Sequence, residues 1–389
     1  MMERLLIKYI GLTYLFLSTV LMAEFSQRIE NTNFSISQGS VFPDDSKTYR
    51  YNYDRLRYRA DYTHENLFLT FIGDGVNYLG SDYVSSHSFS FVKLLHADVP
   101  FKTQSNFHYY DGGSVYAKLY RMYGGYEDEE NRVVLGFQNI SMGVGRLWNP
   151  TNIFNPRNTY SLEPDEVFGV LAVSYTRHMN EMSDITAVVS QKEDHSFKYA
   201  LRYKAFLDFT DVGLSFIKSN ETLMLGVELE ANLGDTGIEV RAEGAYIENE
   251  LRDTSVSTEK ERFYQAIVGT DYGFVNGVTL ILEARYSSQT FDYDQILLNY
   301  DSEILPNLAF SKFYMGSTLS YDFTLFLSGS LLYIESFNTD NSRYISPSLT
   351  YTLNDYNSFV LGAMIQQGNE ESEFGPFSNT YYFNYKLSF

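Results

Sequence analysis

Along much of the chain, apolar and polar residues alternate one by one. Leu223, Leu225, Val227, Leu229 and Ala231 alternate with Met224, Gly226, Glu228, Glu230 and Asn232. Ile238, Val240, Ala242 and Tyr246 alternate with Glu239, Arg241 and Glu243, and Val278, Leu280, Leu282, Ala284 and Tyr286 with Thr279, Glu283, Arg285 and Ser287. A period of two belongs to a β-strand, whose successive side chains point to opposite faces. Each segment therefore predicts one greasy and one wet face. Eighteen strands are expected, starting near Asn31, Tyr49, Asn66, Ser114, Asn131, Val167, Ser183, Lys198, Thr210, Glu221, Gly237, Lys260, Val278, Phe313, Thr324, Ser342, Asn357 and Ser378. Alternation alone fits a soluble sandwich as well as a membrane barrel, in which the polar face turns inward to water.

The two ends of the chain separate these cases. Residues 1–8 hold Arg4 and Lys8, residues 9–21 are mostly apolar, and Met22-Ala23 follows. A basic start, a short apolar run and a small residue make a secretory signal peptide cleaved after Ala23, although Leu21 is large for the minus-three position. The alternative, an N-terminal anchor, needs a run of about 20 apolar residues, and this one is shorter. At the other end Tyr381, Phe383, Tyr385, Leu387 and Phe389 alternate with Asn384, Lys386 and Ser388. Tyr385, Leu387 and the terminal Phe389 resemble the C-terminal insertion signal of bacterial outer-membrane β-barrels. The fold class expected is therefore all-β: a transmembrane, antiparallel, up-and-down β-barrel of about 18 strands spanning residues 24–389, after a leader of residues 1–23. Sixteen strands is the fallback if residues 31–42 form a periplasmic leader or plug and one further segment is miscounted. Short joins, such as those at Asp208–Thr210, Gly234–Thr236 and Phe274–Gly277, alternate with long ones at 74–113, 143–165 and 287–312, as periplasmic turns alternate with external loops. The resemblance implies residence in the cell outer membrane of a Gram-negative bacterium. The partners it implies are outer-membrane lipid, lipopolysaccharide and the barrel-assembly machinery.

Composition narrows the function. The 389 residues carry 29 Lys+Arg against 49 Asp+Glu, a formal charge of −20, which excludes the basic surface of a nucleic-acid binder. With no cysteine there is no disulfide frame, thiolate metal site or Cys nucleophile. The histidines His64, His87, His96, His108, His178 and His195 form no HExxH pair, and no Gly-x-Ser-x-Gly elbow or Walker loop occurs. The acidic runs 127–130, 292–294 and 370–373 lack EF-hand spacing. No enzyme, cofactor or metal is expected.

Charge on the wet faces points elsewhere. Around Leu56, Tyr58 and Ala60, the other face of one strand presents Arg55, Arg57 and Arg59 as a basic ladder. Glu228, Glu230, Glu239, Glu243 and Glu283 are the matching inward acids, roughly half a ring away, with Arg241 and Arg285 among them as neighbour pairs. Opposed charged walls would orient polar solutes. A further segment runs Gly136-Phe-Gln-Asn-Ile-Ser-Met-Gly143, then Arg146-Leu-Trp-Asn-Pro150 and Asn155-Pro156, turn-forming residues that fix a loop. This resembles the Gly-Arg-Gln…Gly strand and Asn-Pro-rich loop of porin-like barrels, including alginate-export-like families, with Phe137 standing where they carry Arg. The resemblance implies an inward-folded constriction loop carrying Arg146, Trp148, Asn149 and Arg157; an ordered external loop is the alternative. The function expected is an outer-membrane porin-like channel for passive passage of small hydrophilic or charged solutes. The rival readings are a surface-binding or structural barrel with a blocked lumen, and an accessory barrel of an export assembly.

Overall fold

The computed structural model describes residues 24–42, 47–254, 257–338 and 340–389. The leader expected at 1–23 lies outside the described residues. Strands β1 Glu24–Gly39, β2 Thr48–His64, β3 Leu67–Leu79, β4 Gly113–Glu127, β5 Asn131–Gln138 and β6 Val170–Asn180 form the first third of a ring. β7 Ser183–Gln191, β8 Phe197–Leu207, β9 Thr210–Lys218, β10 Thr222–Asn232, β11 Ile238–Arg252 and β12 Thr258–Gly273 form the second. β13 Val278–Ser287, β14 Phe313–Asp322, β15 Leu327–Phe337, β16 Ser342–Asn354, β17 Asn357–Gln367 and β18 Thr380–Ser388 complete it. Each strand pairs antiparallel with the next, and β1 pairs with β18 from Glu30↔Ser388 to Ser37↔Tyr381, so the sheet closes. Closure joins the first strand to the last, as a strand-built membrane protein requires.

Eighteen staves were expected and eighteen close the barrel. The fallback of sixteen does not hold, because residues 31–39 are wall, paired on both sides with β2 and β18. β1 also starts earlier than expected, at Glu24. A nineteenth strand of three residues, His108–Tyr110, is part of loop 80–112. β5 leaves the wall at Gln138, so the upper half of β4 lacks that neighbour. Loop 80–112 takes its place: His108–Tyr110 pairs with residues 113–115, and the Leu119 N–H donates to the Thr103 carbonyl at 2.8 Å.

The faces decide between sandwich and barrel. Leu225 and Leu229 stay 50% and 41% exposed, whereas Glu228 between them is 2% exposed. Arg241, Glu243, Glu283 and Arg285 are likewise inside, while Tyr199, Leu201, Leu214, Phe216 and Leu282 are outside. A soluble sandwich would bury the second set; only a lipid surround makes this arrangement favourable. Near the long-loop end the inner face changes character. Ile217, Met224, Ile247, Leu251 and Phe263 are inward and apolar, and pack against Ile153, Phe154, Ile304 and Leu308 of the loops. The loops thus have a core of their own within the mouth of the barrel.

Candidate functional site

Loop 139–169 runs from β5 into the interior, and its seat is built from backbone N–H groups. Gly143 N–H donates to Glu228 Oε1 at 3.0 Å. Val144 and Gly145 donate to Glu243 Oε2 at 2.8 and 3.2 Å, and Thr151 N–H and its hydroxyl donate to Glu243 Oε1 at 2.7 and 2.8 Å. Arg146, Leu147 and Trp148 donate to Glu283 at 2.8, 3.1 and 2.8 Å. All three carboxylates are buried, and a buried carboxylate is tolerable only when donors replace water. Consecutive N–H groups aimed at one anion form a nest, so here the chain's own carboxylates capture the loop.

Two glycines allow this approach. Gly143 has φ +89°, and a Cβ there would stand 2.6 Å from Glu243 Oε2. On the wall, a Cβ at Gly316 would meet Leu147 Cδ1 at 2.3 Å and the Trp148 ring at 3.0 Å. Trp148 lies buried in that slot, its ring 5.8 Å from that of Tyr314.

The other end of the loop carries the opposite charge to the opposite wall. The Arg55 guanidinium donates two bonds to Glu163, at 3.0 and 2.9 Å. Arg57 is shared between Asp74, at 2.7 and 2.8 Å, and Glu166, at 2.9 and 2.8 Å, with its guanidinium 3.8 Å above the Tyr120 ring. Arg59, nearer the short-turn end, pairs with Asp61 on its own strand at 2.5 Å and stays half exposed. On the acidic side the Arg146 side chain reaches Glu239 at 2.8 Å, Asp271 at 3.2 Å and Glu230 at 3.7 Å. The loop therefore bridges both walls with matched charge.

Loop 288–312 lies beside it. Lys198 Nζ holds both loops, at 3.1 Å from the Ile153 carbonyl and 2.7 Å from Glu303. Asn307 donates to the Pro150 carbonyl at 2.9 Å.

The residues singled out in the sequence fall in different places. Glu228, Glu243, Glu283 and Arg146 meet at the loop seat, and Arg55 and Arg57 at its other end. Arg241 faces inward and pairs with Glu239, Asp271 and Glu283. Arg285 is turned to Gln265 and the Pro306 carbonyl rather than to Glu283. Arg157 and Asn149 stay within the loop, bonded to the Arg146 and Gly145 carbonyls at 2.9 Å each. Tyr385, Leu387 and Phe389 are on the outer face near the short-turn rim, with the Tyr385 hydroxyl on Asn357 at 2.6 Å. Sequence reasoning missed Glu163, Glu166, Asp74, Asp271, Lys198 and Glu303. The pair Glu163 and Glu166 had one signal: it lies in the same Asn- and Pro-rich loop as Arg146. His87 is on the six-residue helix α1, His87–Val92, and His108 in the short rim strand. Among the described residues, no group of three or more His, Asp or Glu side chains could hold a metal ion.

No family model and no curated protein matches the chain. Solved structures do resemble it. OccAB1 of Acinetobacter baumannii superposes with a TM-score of 0.62 at 10% identity, covering 94% of this chain and 96% of that one. OpdK of Pseudomonas aeruginosa with vanillate gives 0.57 at 11%, covering 94% and 98%. OccK9 (OpdG) of the same organism gives 0.58 at 12%, with the same coverage. At such identities the likeness is one of fold, extending over nearly the whole of each chain. With a closed ring, charges inside, apolar side chains outside and a loop drawn into the interior, the chain folds as a porin-like outer-membrane β-barrel.

Proposed function

We propose that the protein is a passive outer-membrane channel for small hydrophilic or charged solutes, narrowed by loop 139–169. The observation that carries this reading is the loop's charge match to both walls. Carboxylates at Glu163 and Glu166 meet the basic ladder, while N–H groups and Arg146 meet the acidic wall. A loop held across a charged interior is a constriction, and the groups around it set which solutes pass. Arg55, Arg57, Arg59, Glu230, Glu239 and Arg146 are the selectivity residues of this reading. No reaction is required of them. OpdK with vanillate supports a small organic molecule as the first solute to test.

Export by the leader at 1–23, assembly through Tyr385, Leu387 and Phe389 by the barrel-assembly machinery, and contact with lipopolysaccharide complete the proposal. The second reading, a binding barrel with a blocked lumen, draws on the pairing of Arg55, Arg57 and Arg241 and on the apolar packing of the loops. Planar-bilayer recording of refolded protein, checked for a heat-shifted gel band, separates the two. Discrete conductance steps support the channel. A heat-modifiable barrel without conductance supports the binding reading.

A further inference from the structure

Charge is unevenly spread around the short-turn rim: exposed apolar residues at several other turns, such as Met182 and Phe209, stand beside acids, whereas two turns carry none. The β12–β13 turn reads Phe274-Val275-Asn276-Gly277 and the β14–β15 turn Phe323-Thr324-Leu325-Phe326, with no ionisable residue in either. Val275 and Leu325 are essentially fully exposed, at 105% and 95%, and Phe274, Phe323 and Phe326 are about half exposed. The β4–β5 side reads Glu127-Asp128-Glu129-Glu130, flanked by Arg132 and Arg177. In a ring of eighteen, β4 and β5 lie nine staves from β13 and β14, so the acidic turn is diametrically opposite the apolar pair.

We propose that the barrel is seated obliquely, with the β12–β13 and β14–β15 turns immersed in phospholipid of the inner leaflet and the β4–β5 turn in water. This rests on the membrane-barrel reading above. Continuity argues for lipid as the occupant. The apolar turns extend the outward faces of their own strands, Leu319 and Tyr321 leading to Phe323, and Leu282, opposite Thr270, standing farther up the wall that ends at Phe274. Ring pairs tie turn to wall, Tyr272 with Phe274 at 4.6 Å and Tyr321 with Phe323 at 5.1 Å. The turn backbones are also largely satisfied from within, as poor hydration demands. Phe274 N–H donates to the Val278 carbonyl at 2.7 Å and Gly277 N–H to the Phe274 carbonyl at 2.9 Å. Phe326 and Leu327 donate to Thr324 Oγ1 at 3.1 and 3.0 Å, and Val278 to Asn276 Oδ1 at 3.2 Å. An upright barrel would leave Val275 and Leu325 in water or drag four adjacent acids into the apolar layer; an oblique one does neither.

The chain has no cysteine, so single labels are clean. Val275→Cys, Leu325→Cys, Glu129→Cys and the mid-wall control Leu225→Cys are each coupled to an environment-sensitive dye and reconstituted in phosphatidylethanolamine–phosphatidylglycerol vesicles. Quenching by brominated lipid is compared with quenching by iodide admitted to both sides. Labels at 275, 325 and 225 are expected to emit to the blue and respond to brominated lipid, and the label at 129 to respond to iodide. Iodide quenching at 275 and 325, with 225 in lipid, overturns the oblique seat and leaves the membrane barrel standing. Burial at 275 and 325 that rises with protein-to-lipid ratio assigns the patch to a second copy and likewise overturns it. An aqueous label at 225 overturns both readings.

Discussion

Glu303 and Lys198 meet at 2.7 Å with side chains only 3% and 5% exposed, a buried ion pair that joins loop 288–312 to the barrel wall. Burial pushes the Glu303 carboxyl up, but Lys198 and Lys192 outweigh it and hold the group at about 2. Its stabilising effect is therefore full above the usual carboxylate range and is lost only as pH falls towards 2. Glu303→Gln strands the Lys198 charge and is expected to cost about 3–5 kcal/mol, read as a lower urea midpoint for the folded barrel. Adding Lys198→Met should recover most of that loss. Glu373, in loop 368–379, has the opposite sign. Burial drives its carboxyl from 4.5 up to about 7, against the Ser336 and Tyr314 hydroxyls and Arg285. Ser336 Oγ donates to it at 2.6 Å, and the Tyr160 and Tyr344 rings pack beside neighbouring Phe374. A carboxyl raised by burial supports docking fully below about 4.5 and loses that support as pH rises through 7, roughly 3 kcal/mol in all. Hydrogen exchange of residues 368–379, corrected for intrinsic rates, should accelerate between pH 5 and 8 in the native protein. In Glu373→Gln it should not, and equal acceleration in both would remove Glu373 as the cause.

At the scale of elements, loop 139–169 is held by three carboxylates and fits because Gly316 leaves room. Gly316→Leu places side-chain atoms where Leu147 and Trp148 now lie, at an overpacking cost of about 1–3 kcal/mol. The expected outcome is a barrel with an unchanged heat shift and a larger, noisier single-channel conductance. Conductance identical to the native protein would mean that the loop does not limit flow. Strand faces were readable beforehand because a period of two survives wherever one side meets lipid and the other water. They were least readable in β1, where Phe25 and Ile29 are outward but Gln27 between them breaks the apolar face. The loop seat was half readable. Glu228, Glu243 and Glu283 stand out as charges on otherwise alternating strands, whereas what they hold of the loop is mostly backbone N–H groups, which no sequence pattern marks. Lys198 and Glu303 are more than a hundred residues apart, and a pair formed only by folding leaves no local trace.

Across the whole molecule, the formal charge of −20 says little about the lumen, because exposed turns such as Glu127–Glu130 account for part of it. What the interior offers is an unequal division of charge between walls, with loop 139–169 neutralising part of each. The opposed walls were legible from strand counting; the neutralisation was not, since it depends on where the loop ends fall. This changes what removal of the basic ladder should do. Among the described residues Arg59 forms its ion pair with Asp61 on its own strand, so Arg59→Ser removes one positive charge and leaves the loop in place. Arg55 and Arg57 also hold Glu163, Glu166 and Asp74, so changing all three arginines to Ser uncovers carboxylates as well. The reversal potential in a salt gradient should move towards cation preference in both variants, and further in the triple variant than one charge per residue predicts. Raising the salt should compress both shifts, since the Debye length falls from ~10 Å at 0.1 M to ~3 Å at 1 M. The single variant isolates the ladder's field from the loop's position. If Arg59→Ser leaves the reversal potential unmoved at low salt while the triple variant moves it, selectivity resides in the loop carboxylates. If neither moves, the basic wall lies off the path of the ions.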